Sequence, residues 1–296
     1  MKFNAITAAS LTVINFCSIQ HGFAGTEAPP PNTTATTITK SFLENLSEYG
    51  TLSYFGTYRG ASITNFGSSL QPRPDGSQDP TNPNSFESTI TAGYKINKDL
   101  ITGVVGHFYL FPWNDPTGGN QKIQLLDPIL FLSRPGLINS QGFRLDTRVT
   151  LQLPTSKYDI LLSRHLTTAI TWIFNARYET LASKLTVGTY GFIRGYIPSY
   201  DTLSKAPSYT VTAAPYANYQ LSDNLAASLW IDLLGATRNY GTGFFSGLQT
   251  SAVDIEPGII WDITKNISLN PMLNIYPGSP TLASTSIQAN IIAKAF

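Results

Sequence analysis

The sequence predicts an all-β chain, a transmembrane antiparallel up-and-down β-barrel of about twelve strands. Three observations carry that reading. The first is composition: 42% of the 296 residues are hydrophobic, yet only 12% are charged. Soluble domains carry about 25% charge. Past the N-terminal segment, however, no stretch supplies the ~20 consecutive apolar residues that a membrane helix needs. A barrel wall needs only alternate residues to be apolar. The second observation is a period of two along most of the chain. The third is a regular exchange of short and long connections between the periodic segments.

The N-terminus reads as an export signal. Lys2 supplies the positive charge, Phe3 to about Ile19 is mostly apolar or small, and Gly22 and Ala24 suit the positions before a cleavage site. Residues 1–24 are therefore expected to leave as a signal peptide. Cys17, the chain's one cysteine, leaves with it; Phe16 stands where lipoprotein processing favours a small residue. The mature chain then has no disulfide, no thiolate metal site and no thiol nucleophile. Residues 25–48 are expected as a flexible tail, because the Thr/Pro/Ala-rich run Gly25 to Thr37 cannot bury a core. Within the tail Ile38, Phe42, Leu43 and Leu46 fall at helical spacing. This short amphipathic helix docks on the barrel as a linker or, alternatively, enters its lumen as a plug. The barrel itself is assigned to residues 49–296.

Alternation is clearest at Leu145, Thr147, Val149, Leu151 and Leu153, which interleave with Arg144, Asp146, Arg148, Thr150 and Gln152. A strand sends these sets to opposite faces. Neither a soluble core nor lipid accepts the second set. A membrane barrel accepts both, one toward lipid and one toward a wet lumen. Similar segments run over Thr168 to Tyr178, Leu225 to Leu233, Val253 to Asp262 and Ile267 to Ile275. A soluble sandwich would need more covering surface than the chain has.

Short turns are expected at Asn97-Lys98-Asp99, Leu221 to Asn224 and Thr264 to Asn266, with somewhat longer ones at Ser133 to Gln141 and Glu179 to Lys184. Long Gly/Pro/Asn-rich connections separate them, at about Gly60 to Ser85, Pro112 to Gln121, Pro154 to Leu166, Ile197 to Pro207, Ala236 to Thr250 and Pro277 to Ala283. Aromatic residues cluster near both sets of strand ends, as interfacial girdles require. Tyr49, Tyr94, Phe131, Phe143, Tyr178, Tyr219, Trp261 and Phe296 mark the short-turn end. Tyr58, Phe86, Phe108, Trp113, Tyr196, Tyr209 and Tyr276 mark the other. The period breaks at Asp127-Pro128, read as a bulge. It is ambiguous over Lys184 to Tyr196, where Tyr190 and Phe192 share the face of Arg194.

The terminal Ala293-Lys294-Ala295-Phe296 resembles the recognition signal of bacterial outer-membrane barrels. The strand–turn–strand blocks Gly93 to Gly103 and Pro257 to Leu269 are porin-like. The resemblance runs through the chain after Tyr49. It implies residence in the bacterial outer membrane, contact with its lipid, and passage of small solutes. Family members place apolar residues in phase with the last Phe. Here the in-phase set is Lys294, Ile292, Asn290 and Gln288, so either a bulge shifts the register or Phe296 does not face lipid.

The formal net charge of +1 offers no footprint for nucleic acid. Candidate chemistry is sparse. His107 reads as a lumen or rim residue rather than a base, His165 falls in a long connection, and no Ser motif of distinctive spacing accompanies either. Asp254 and Glu256 share a strand face; acid–base work, cation binding and pairing with arginines all fit two such carboxylates. No cofactor is implied, and no metal-ligand spacing extends the pair. The expected lumenal set is Arg59, Glu87, Lys95, Arg144, Asp146, Arg148, Arg177, Arg194, Asp232, Asp254 and Glu256. It places arginines (Arg144, Arg148, Arg177, Arg194) on one arc and acids (Asp232, Asp254, Glu256) on another, as in a porin constriction. Passive diffusion of small hydrophilic solutes through a narrow channel is the leading expectation, and self-association into a homo-oligomer is compatible with it. A membrane-embedded lipid hydrolase and a plugged structural or adhesive barrel are the alternatives.

Overall fold

The computed structural model describes residues 48–111, 122–156, 161, 166–180, 184–198, 206–242 and 247–295. The expected signal peptide and almost all of the tail, together with Trp113, His165 and Phe296, lie outside the described residues.

The strands in chain order are β1 (Gly50–Ser62), β2 (Leu70–Pro72), β3 (Gln78–Pro83), β4 (Ser85–Asn97), β5 (Leu100–Leu110), β6 (Ile123–Leu125), β7 (Ile129–Ser140), β8 (Phe143–Gln152), β9 (Leu166–Thr180), β10 (Leu185–Pro198), β11 (Pro207–Ser222), β12 (Leu225–Asp232), β13 (Leu234–Asn239), β14 (Leu248–Thr250), β15 (Asp254–Thr264), β16 (Ile267–Asn274) and β17 (Ser286–Lys294). All pairings are antiparallel, the strands that follow one another around the wall pair (β1 with β4, β5 with β7 and β12 with β15 included), and β17 returns to β1, so the sheet closes as a barrel of twelve strands. Closure removes the free edges that an open sheet would leave unpaired in lipid. The short pieces extend this wall: β6 continues β7 along β5, β13 continues β12 along β11, and β14 pairs β13. β2 and β3 form a separate hairpin within the first long connection.

Alternation places the apolar rows on the outside. Ile90, Val104, Leu130, Leu132, Val149, Ile170, Trp172, Ile193, Leu229 and Ile259 are all exposed there. A continuous apolar belt on a closed wall is what lipid must cover. The expected girdles are visible in Tyr49, Tyr94, Phe143, Tyr178, Tyr219 and Trp261, exposed near the short-turn ends. Phe131 and Tyr196 depart from that expectation. Phe131 is in phase with buried Ile129, and Tyr196 with Arg194, so both rings turn inward and are buried.

Two connections also differ from the sequence reading. β7 continues through the region expected as a turn, with a bulge between Arg134 and Ile138 at Gly136, whose φ is +64°. Chain reversal is left to Gln141 and Gly142, φ +50° and +84°, the two positive values a tight hairpin of matching twist requires. The segment expected as one long loop from Ala236 instead carries the wall onward as β13 and β14. The bulge at Asp127-Pro128 is present. It separates β6 from β7, and the fully buried Asp127 accepts backbone N–H bonds from Thr155 and Ser156, both at 2.7 Å, tying the next connection into the barrel mouth.

Candidate functional site: the charged lumen

The eleven residues of the expected lumenal set all lie in the phase of their strands that carries the buried polar rows. Cross-strand pairs share a face, and the register links Arg59 with the row of Gln288 and Glu87 with that of Tyr109. It links Arg144 with Arg177, Arg194 with Thr171, Asp232 with Asp254, and Glu256 with Trp230. Asp146 and Arg148 share the alternate phase of Arg144. Between these charges the interior rows are polar: Thr57, Thr89, Thr91, Thr150, Thr171, Ser228, Gln288 and Asn290 are all buried inside the closed wall.

The charges fall into separate groups. Near the short-turn end, Arg144 Nε donates to Asp146 Oδ1 at 2.9 Å and Arg177 Nη1 reaches Asp146 Oδ2 at 3.3 Å. Arg177 Nε also meets Glu179 Oε1 at 2.8 Å, and the backbone N–H of Gly136 donates to Asp146 Oδ1 at 2.6 Å. Asp146 thus anchors the β7 bulge as well as two guanidinium groups.

Two further arginines sit on aromatic rings. Arg148 stacks over Phe131 at 4.4 Å, and Arg194 lies 5.4 Å from the ring centre of Phe192 while donating to Thr171 at 2.9 Å. Beside them Ile173, Tyr190, Phe192, Ala214, Tyr216 and Trp230 make one buried apolar cluster on the interior side. Tyr216 and Trp230 stack at 4.5 Å and 16°, and the Tyr216 hydroxyl donates to Asn175 at 2.9 Å. Gly188 makes room for this ring, since a Cβ there would stand 2.5 Å from Tyr216 Cζ. The ambiguous strand is thereby resolved: Tyr190, Phe192 and Arg194 do share the inner face. Periodicity shows which residues share a face; it does not show that an aromatic row faces in.

Toward the long-loop end, Glu87 takes His107 Nε2 at 2.9 Å and lies 3.8 Å from Arg59. His107 faces inward, away from lipid. Asp232, Asp254 and Glu256 gather so that one carboxylate oxygen from each lies within 4.8 Å of the others. Asn274, at the end of β16, donates from Nδ2 to Asp254 at 2.5 Å and to Glu256 at 3.3 Å. The sequence reading missed Asn274. The available signal was its place in the inward phase of β16, after Asn270 and Met272. Arg59 acts electrostatically on all three acids.

The expected two-arc arrangement takes a particular form here. The basic residues on β8, β9 and β10 are separated from the acids on β12 and β15 by β11, rather than facing them across the barrel. They are also spread along the strands. Arg144 and Arg177 lie by the short turns, whereas Arg194 lies far up β10.

No protein-family model matches the sequence, and no curated protein matches it. In fold, the chain is similar to an outer membrane channel from Pseudomonas putida F1. The two are 11% identical over 90% of this chain and 100% of that one, with a TM-score of 0.51. The porin NanC aligns at 9% identity over 83% of this chain and 100% of its own, with a TM-score of 0.46. At such identity the likeness to the first is one of fold, that of a porin-like barrel.

Proposed function

We propose that the chain is an outer-membrane channel through which small hydrophilic solutes diffuse passively. The observation that carries the reading is the division of the wall: an exposed apolar belt outside, and rows of Thr, Ser, Asn and Gln with charged side chains of both signs inside. Such an interior is compatible with water and polar solutes. Twelve strands stand between barrels filled by side chains at about eight and open aqueous channels at about sixteen, so the channel is narrow. The residues proposed to set its selectivity are Arg59, Arg148 and Arg194 against Glu87, Asp232, Asp254 and Glu256. Arg144, Asp146 and Arg177 line the wall as an ion-paired support.

The apolar cluster around Tyr190 and Trp230 favours a second reading, a barrel whose lumen is closed by its own side chains. Single-channel recording decides between them. The channel reading expects discrete conductance steps and a reversal potential, in a salt gradient, that moves toward anion preference in Asp254→Asn/Glu256→Gln and toward cation preference in Arg148→Gln/Arg194→Gln. Both shifts weaken at high salt. Absence of conductance in the wild-type protein would overturn the channel reading, and identical reversal potentials in all three proteins would remove these residues from the selectivity filter. His107 faces the interior, so a lipid hydrolase relying on it from the lipid side has no support in this geometry.

A further inference from the structure

Asp146 and the Asp232–Asp254–Glu256 group are both interior carboxylate sites, but only the first is saturated with donors. At the second, three carboxylates crowd within 4.8 Å, and Arg59, which acts on them, also pairs with Glu87. One oxygen of this trio, Asp254 Oδ1, and the neighbouring Asn274 Oδ1 are buried and have no hydrogen-bond partner. Asn274 is only 4% exposed, and its amide points at the acids through Nδ2. A buried acceptor without a donor costs about 1–3 kcal/mol, so two such acceptors at a group of three like charges describe a site shaped for a cation. Half a turn about the last side-chain bond of Asn274 exchanges Nδ2 for Oδ1 at the same place. That orientation is repulsive beside bare carboxylates and attractive once a metal ion lies between them.

We propose that Asp232, Asp254, Glu256 and the side-chain carbonyl of Asn274 bind one divalent cation, with calcium as the best-fitting ion. The donors are all oxygen, which selects a hard cation over zinc or copper. Calcium takes oxygen ligands at about 2.3–2.6 Å, so ligands on opposite sides of one ion stand roughly 4.6–5.2 Å apart. The separations here, all within 4.8 Å, are compatible with that spacing. Magnesium, at about 2.0–2.1 Å, requires a tighter and strictly octahedral set. Water or solute oxygens complete the shell from the lumen. The bound ion neutralises the acidic side of the channel, so its occupancy shifts charge preference.

Trp230 provides the assay, since its Cα pairs with that of Glu256 on the next strand. The purified full barrel in detergent is titrated with terbium, a luminescent calcium substitute, excited through tryptophan. Saturable emission with one ion per chain is expected, displaced by calcium and requiring about tenfold more magnesium. Asp254→Asn/Glu256→Gln should abolish it. Asp262→Asn, an interior acid farther down β15, should leave it intact. Should the double variant fail to fold, Trp230→Phe decides, because it keeps all four ligands. Its emission should fall while calcium still raises its thermal unfolding temperature. Absence of saturable emission in the wild type, or emission unchanged in the folded double variant, overturns the site. So does unchanged emission in Trp230→Phe.

Discussion

Two groups of interior carboxylates occupy the same barrel under opposite conditions. Asp146 lies between Arg144 and Arg177 and also holds the N–H of Gly136, so its oxygens are matched by donors on three sides. Asp232, Asp254 and Glu256 crowd one another; Asn274 donates to two of them, and the Arg59 that acts on all three also pairs with Glu87. The first arrangement fixes the wall: it ties β7, β8 and β9 together where β7 bulges. The second contributes nothing comparable to the wall. Unrelieved like charge among buried side chains is costly, and such cost is commonly retained where a site must hold something else. Charge in the lumen therefore has two uses, and the donor count around each carboxylate distinguishes them.

The largest effect is expected from removing the anchoring acid. Asp146→Ala leaves Arg177, whose side chain is only 5% exposed, without its buried partner. Its other bridge, to Glu179, is half exposed and compensates little. Removing one member of a buried pair costs about 3–5 kcal/mol. Denaturant unfolding of the barrel from vesicles should show a loss of that order, and a loss below 1 kcal/mol would place Asp146 among the dispensable charges.

A slightly smaller effect tests whether the interior face is what makes charge tolerable. Val149 is exposed to the outside, and Thr150, its neighbour on β8, is buried inside. Val149→Arg or Leu229→Arg should cost about 2–4 kcal/mol near the bilayer midplane. Thr150→Arg should cost clearly less in the same titrations, and equal losses would contradict the assignment of faces.

The third test reverses the sign. Asp254→Asn/Glu256→Gln, measured in chelator so that no divalent ion contributes, should cost nothing and raise stability by up to about 1 kcal/mol. A loss as large as that of Asp146→Ala would mean that the two groups play the same structural part.

The sequence made the wall legible and left its contents obscure, for physical reasons. Alternation at Leu145 to Leu153 identifies both faces, because arginine and aspartate cannot face lipid. The same rule fails over Tyr190 to Arg194, where aromatic and charged residues share one phase and either direction fits the chemistry locally. Phe131 and Tyr196 were misassigned to the girdles because nearness to a strand end says nothing about the side to which a ring points. The Asp254/Glu256 pair was visible as i and i+2 on one strand. Asp232 was assigned to the same acidic arc, and its direct approach to the pair follows from the register of β12 against β15. Asn274 shows in the sequence only its inward phase on β16, and its place beside the acids follows from the pairing of β15 with β16.

The smallest expected effect comes from an acid in neither group. Asp75 sits in the exposed hairpin of the first long connection, outside the membrane wall, and accepts from the Ser77 hydroxyl at 2.6 Å and the Ser77 N–H at 2.9 Å. These donors, the hydroxyl first, hold its carboxyl below the usual carboxylate range, with Arg73 adding a little. Water is the alternative partner for such a group, so the bonds shape a turn rather than stabilise the barrel. The sign follows from the lowered value. The turn's bonds are fully present above the ordinary carboxylate pKa of about 4 and are lost only as pH falls through the depressed one. Nuclear magnetic resonance titration of the Ser77 amide should therefore show a midpoint below about 4. Ser77→Ala should raise that midpoint toward the ordinary value while leaving the unfolding temperature of the barrel at neutral pH unchanged. A fall in that temperature would show that loop carboxylates, too, carry part of the wall's stability, and would erase the distinction between acids that build the barrel and acids that do not.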